Sequence, residues 1–187
     1  MHIAIESFNK LILDFFNAAA NLKKISRQGW IDKLSLERPE SVADHTFSMA
    51  IMGMIFSDLG KCNTEKILKI ILLHDLAESV IGDITPEQIS KKEKNEMENK
   101  AIKSIFGKLP ASLQKQYTHL WQEYQVGDSK EAMIVHQLDK IEMALQAKIY
   151  SKDGYSKEKL SSFLNSAKDE IVDPKLLKLL IKILDQP

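Results

Sequence analysis

Disulfide chemistry is the first thing this sequence lacks. Its 187 residues hold a single cysteine, Cys62, which excludes an intrachain disulfide and a cysteine-rich zinc site. That usage fits a reducing compartment, and Cys62 itself reads as an inert thiol. An excess of charge is missing too: 26 Lys and Arg offset 26 Asp and Glu. No long-range field therefore exists to draw in a nucleic-acid polymer or an anionic membrane surface, and any phosphate chemistry must be local. No run of about 18 uncharged apolar residues occurs, so no helical bilayer span is expected. The apolar stretch from Ile3 to Leu22 is interrupted at Glu6, Asn9, Lys10, Asp14 and Asn17 with helical spacing, which reads as an amphipathic helix rather than a leader. A cytoplasmic protein is expected. Clean strand alternation, internal repeats and a glycine-rich phosphate loop are all absent.

What the chain does have is helical periodicity. A chain of this length is in the range of one domain, read here as a single unit over 1–187 that can bury a core without staples. Ile5, Phe8, Ile12, Phe15, Ala19 and Leu22 predict a first helix over 3–24, with Phe8 and Phe15 in the core. Arg27-Gln28-Gly29-Trp30 breaks the period, and 25–40 reads as a loop. Ser41 followed by Asp44 predicts a capped start, and Val42, Met49, Met52, Phe56 and Leu59 a stripe that ends at Gly60. Asn63 or Thr64 opens a helix running to a left-handed cap at Gly82. Thr85-Pro86-Glu87-Gln88 predicts the next start, continuing through the charged 91–100 stretch, read as a solvated face, to Gly107. Further helices are expected over 110–124, from Ser129 to Gly154, over 156–166 and from Asp173-Pro174 to Leu184. In the long one Ala132, Val135, Leu138, Ile141 or Glu142, and Leu145 face inward. The fold class is all-α.

The informative stretch runs from Leu72 to Pro86. At about 100° per residue, His74 and Glu78 share a helix face and Asp75 lies beside them, so all three can serve one pocket. The flanking Ile70, Ile71, Leu73 and Ala77 place these groups in a buried helix. A buried carboxylate needs a partner, and a cation would supply one. A lone His-Asp pair is equally at home as a hydrogen-bonded core couple. His45 lies on the apolar stripe between Val42 and Met49, where a plain core histidine also fits, and Asp139 sits beside Leu138, where a solvated carboxylate also fits. Taken together, two imidazoles and two carboxylates from three helices make a mixed nitrogen and oxygen set suited to a divalent ion with open positions.

These residues carry a resemblance. Arg27-Gln28-Gly29-Trp30, the run from Pro39 to His45, His74-Asp75-Leu76-Ala77-Glu78, the run from Ile81 to Pro86 and the run from Gln137 to Ala147 resemble the HD-domain metal-dependent phosphohydrolases, in their 5'-deoxynucleotidase branch. The resemblance implies an HD-domain helical bundle, often a homodimer, that releases phosphate from nucleoside 5'-monophosphates. It implies His45, His74, Asp75 and Asp139 as ligands of one divalent ion, whether Co, Mn, Mg, Fe, Ni or Zn. It also implies Glu78 and Asp83 as the acid/base carboxylates, and Arg27 and Trp30 around the substrate. Glu78 suits the base; Trp30 suits either a substrate wall or a core anchor. Other substrates of the superfamily are triphosphates, alarmones and cyclic dinucleotides. The Ala77-Glu78 ending differs from the Glu-Asp pair of alarmone hydrolases, and the Gly-Tyr-Pro element of cyclic-dinucleotide enzymes is missing. A helical interaction module that keeps a metal only as a staple has no need of both Glu78 and Asp83.

Overall fold

The computed structural model describes residues 2–186, apart from the side chains of residues 2–5 and 7, so the inward position expected of Ile5 lies outside the described residues. The order is α1 (His2–Asn21), a 3-10 turn (Leu22–Lys24), α2 (Gln28–Leu34), α3 (Val42–Gly60), α4 (Thr64–His74) and α5 (Glu78–Ile81). Then come α6 (Lys91–Phe106), α7 (Ala111–Val126), α8 (Lys130–Lys152), α9 (Lys157–Glu170) and α10 (Pro174–Leu184). Among the described residues the β-structure is a single bridge, Ser26 to Ser41, so the class is all-α as expected.

The long helix α8 is the post around which the others stand. Ala132, Val135, Leu138, Ile141 and Ala144 recur at steps of three and are all fully buried, and the last four share one cluster with Met49 of α3, Ile67 and Ile71 of α4, and Leu176 and Leu180 of α10. Helix α3 approaches α4 at Gly53, where an added Cβ would stand 2.4 Å from the Ile71 Cδ1 methyl. That glycine sets the spacing between the helix carrying His45 and the helix carrying His74. Helix α3 starts where the capping signal places it: Asp44 N–H donates to Ser41 Oγ at 3.2 Å, and Ser41 N–H donates to Asp44 Oδ2 at 2.9 Å.

The structure departs from the expected elements in four places, and Leu59, expected to close the apolar stripe of α3, is exposed. Phe8 is half exposed rather than core, whereas Phe15, further along α1, packs on the main cluster. The 25–40 stretch is not all loop, because Trp30 and Leu34, one turn apart on α2, bury themselves with Tyr150 and Leu160 in a second cluster. That apolar burial outweighs the poor local propensity of the Gly29 turn. The ends of the stretch are clamped by Arg27 N–H to Glu40 O at 3.0 Å and Val42 N–H to Ile25 O at 2.8 Å.

The third departure matters most. Helix α4 stops at His74, not Gly82, and Asp75 takes φ −105° and ψ 12°, between the helical and extended regions. The His74 ring supplies the reason: its Nδ1 lies 2.6 Å from Ile71 O, the carbonyl that the Asp75 N–H would occupy in a continuing helix. Tight turns follow, with Leu76 N–H on Leu73 O and Glu78 N–H on Asp75 O, before the single turn of α5. Gly82 then has positive φ, but an extended ψ of 167° rather than a left-handed helical cap. Fourth, α6 begins at Lys91 and not at Thr85. Thr85 N–H does find Gln88 Oε1, yet the reciprocal capping pair that starts the helix is Ser90 with Glu93.

Candidate functional site

His45 reaches the site from one turn inside α3, and Asp139 from the middle of α8, a helix start and a helix centre both pinned by core packing. His74 is the last residue of α4, and Asp75 follows it out of the helix. Their tips converge. His45 Nε2 lies 3.2 Å from Asp139 Oδ1 and 3.9 Å from Asp75 Oδ2, and His74 Nε2 lies 3.0 Å from the same Asp75 oxygen. Donor atoms of His45, His74 and Asp139 all fall within 4.8 Å of one another.

The tautomer of a neutral His74 is set by its neighbour. A carbonyl oxygen only accepts, so Ile71 O holds the proton on Nδ1 and leaves the Nε2 lone pair free when the ring is neutral. His45 Nε2, His74 Nε2 and Asp75 Oδ2 are buried and make no hydrogen bond. Lone pairs facing one another across about 3–4 Å repel unless a positive charge lies between them. A divalent cation fits this donor set: two imidazole nitrogens and two carboxylates, with the remaining positions toward an open cleft.

The electrostatics agree. Burial and Arg27 oppose a proton on His45, yet Asp139 and Glu142 outweigh them and bring it up to about 9, so this pocket attracts positive charge. Burial opposes ionisation of Asp75 and Asp139 as well. His74, Arg27 and His45 nevertheless hold Asp75 below the ordinary carboxylate range, and His45, Lys140 and Arg27 do the same for Asp139. Glu78 goes the other way: burial and the like charges of Asp75 and Asp83 push it well above the ordinary range, against Lys94 and Arg27.

His74, Asp75, Glu78 and Asp139 line a cleft of about 440 Å³ that also receives Arg27, Asp83 and Lys94, while His45 is fully buried beside them. Glu78 is almost fully buried; its Oε1 lies 3.5 Å from Lys94 Nζ, and its Oε2 has no partner. Asp83 is held from across the chain by the Gln28 N–H at 2.7 Å. Arg27 stands 3.6 Å from Asp75 Oδ2. Trp30, at 2% exposed, is packed against Phe163 with ring centroids 4.1 Å apart and donates Nε1–H to Glu40 Oε1 at 2.8 Å. It anchors the second apolar cluster and also lines the cleft, so it serves the core and the cleft wall together.

Three participants went unseen in the sequence. Glu142 Oε2 lies 2.6 Å from His45 Nδ1, and its place on the inward face of α8 was the available signal. Lys94 was hidden inside a charge-rich stretch read as solvated. Tyr124 presents its ring edge to His74 and stacks on His136, whose Nε2–H donates to the Tyr124 carbonyl at 2.9 Å. That bond occupies His136 away from the cation donors.

A family model described as HD domain matches residues 19–177. Human 5'-deoxynucleotidase HDDC2 is 36% identical over 173 residues, covering 92% of this chain and 84% of that protein. The Dictyostelium discoideum 5'-deoxynucleotidase HDDC2 is 38% identical over 182 residues, 91% of this chain and 95% of that one. A conserved hypothetical protein from Pyrococcus furiosus superposes with a TM-score of 0.76 at 29% identity, over 93% of this chain and 99% of that one. With the family model matching most of its length and relatives above 30% identity, this chain belongs to the HD-domain family.

Proposed function

We propose that this chain is a metal-dependent 5'-deoxynucleotidase, acting as one HD-domain unit over 1–187 and hydrolysing deoxyribonucleoside 5'-monophosphates to nucleoside and phosphate. The observation that carries this reading is the set of buried donor atoms without hydrogen bonds on His45, His74 and Asp75, with Asp139 beside them, next to a cleft that also holds Glu78, Asp83 and Arg27. The relatives named 5'-deoxynucleotidase supply the substrate class.

His45, His74, Asp75 and Asp139 would hold one divalent ion, with Co, Mn, Mg, Fe, Ni and Zn all compatible with mixed imidazole and carboxylate donors. Such an ion supplies a water of lowered pKa and neutralises charge on a phosphate oxygen. The chain's own side chains do the rest. Glu78 has one oxygen beside Lys94 and one without a hydrogen bond, and its raised proton affinity suits it to take a proton from the attacking water. Asp83, steadied by the Gln28 amide, is placed to orient that water or pass a proton toward the leaving 5'-oxygen. Arg27 stays charged, since burial is outweighed by Asp75, Asp83, Asp139 and Glu78, and its planar fork matches a phosphate bidentately.

A homodimer in the cytoplasm belongs to the same reading. An exposed apolar stripe on α3, made by Phe47, Ile51, Ile55 and Leu59, supports the dimer. No described helix is long and apolar enough to cross a membrane.

The test is a phosphate-release screen of the purified chain over deoxy- and ribonucleoside 5'-monophosphates with each metal. Turnover of the deoxynucleotides that is lost on chelation is expected. No release from any monophosphate with any metal overturns the reading.

A further inference from the structure

The two imidazoles of the candidate cation site are braced by different chemistry. His74 Nδ1 is held by a neutral carbonyl, Ile71 O. His45 Nδ1 is held by the carboxylate of Glu142 at the same 2.6 Å, with both side chains buried to within 3%. Orientation alone does not require the charge, since the His74 brace does without it. A buried carboxylate costs several kcal/mol unless it is paired, and among the described residues His45 is the ion-pair partner of Glu142. Glu40 stands near the same nitrogen, so Glu40, His45 and Glu142 form a second cluster of potential ligands. A spacing of 2.6 Å between His45 Nδ1 and Glu142 is a hydrogen bond, however, so this cluster is a brace behind His45 rather than a second cation site.

Resting on the reading that His45, His74, Asp75 and Asp139 take a divalent ion, we infer that Glu142 is a positioning residue that sets the metal affinity of the site through His45. It keeps the proton on His45 Nδ1, aims Nε2 at Asp75 and Asp139, and lends the ring negative charge that strengthens Nε2 as a donor. Glu142 touches neither the cleft nor the converging donor atoms, so its effect reaches the ion only through the imidazole. Carboxylate braces of this kind are worth about 10- to 100-fold in metal affinity.

The experiment titrates metal-stripped full-length protein with Mn²⁺ by calorimetry. Glu142→Gln keeps the shape and an acceptor oxygen but removes the charge; Glu142→Leu removes both. The expected result is a Kd about 10-fold weaker for Glu142→Gln and about 100-fold weaker for Glu142→Leu, at unchanged stoichiometry. Thermal unfolding of the metal-free forms separates this from a purely structural role, which would lower the midpoint and leave the Kd of the folded protein alone. Should Glu142→Leu fail to fold, Glu142→Gln decides by itself. Wild-type affinity in Glu142→Gln overturns the inference alone. A wild-type chain that binds no Mn²⁺ overturns the reading of the site and the inference with it.

Discussion

The site has two halves built to different standards. His45 and Asp139 stand on α3 and α8, whose inward faces are fully buried and whose spacing is set by close helix packing. Asp75, Glu78 and Asp83 stand on the 75–86 segment, where tight turns, the single turn of α5 and a positive-φ glycine replace regular structure. That segment is anchored in the core by Leu76 and Ala77 and steadied further along by particular hydrogen bonds, such as Gln28 N–H to Asp83 and Lys94 Nζ to Ile84 O. The helix-borne half gives fixed donors for a cation. In the proposed reading the turn-borne half adds Asp75 to those donors and carries Glu78 and Asp83, the carboxylates proposed to move protons.

Removing a helix-borne ligand is the harshest way to test this division. Asp139→Ala should abolish Mn²⁺ binding in calorimetry and lower phosphate release by about 10³-fold or more, since a catalytic ion is worth several kcal/mol of barrier. Retained metal affinity would make Asp139 a bystander and break the comparison. Glu78→Gln, on the other half, should cut kcat by about 10²- to 10⁴-fold while Mn²⁺ still binds with near wild-type affinity. Joint loss of both would merge the two halves into one.

A third prediction concerns pH and the buried carboxylates behind α3. Burial and Glu142 bring the Glu40 carboxyl up from 4.5 to about 7, so the folded chain keeps a proton that the unfolded chain has released. Stability from this group is complete below pH 4.5 and is lost as pH rises to about 7, by up to about 3 kcal/mol. Glu40→Gln retains an acceptor for the Trp30 indole and should flatten that slope in urea-denaturation midpoints; an unchanged slope refutes the assignment. The smallest effect is expected at Gly53→Ala. The new Cβ meets the side chains of Ile71 and Ile67, which must shift in a fully buried contact, at a cost of about 1–2 kcal/mol after the gain in helix propensity. An accompanying loss of metal affinity would show how tightly the helix spacing sets the donors.

Legibility followed the same division. Helices α3, α7, α8 and α10 were readable because period, cap and stop coincided, as with Ser41 and Asp44 ahead of α3 and Asp173-Pro174 ahead of α10. The donors His45 and Asp139 were visible as polar residues on or beside apolar faces. The break after His74 was not, because a side chain taking a backbone carbonyl leaves no trace in hydrophobic periodicity. Burial of Trp30 depended on Tyr150 and Phe163, more than 100 residues away, which no local signal encodes. Lys94 was concealed by company: among so many charges, the one that turns toward Glu78 looks like the rest.

The bond from the His74 ring to the Ile71 carbonyl also constrains redesign. A residue such as Glu or Gln, which propagates helix and leaves that carbonyl to the Asp75 amide, would let α4 wind onward and carry everything after it around the axis by about 100° per added residue. On the proposed reading, retuning ion preference by exchanging this one residue would therefore re-aim Glu78, so coordination chemistry and proton chemistry would have to be engineered as a pair.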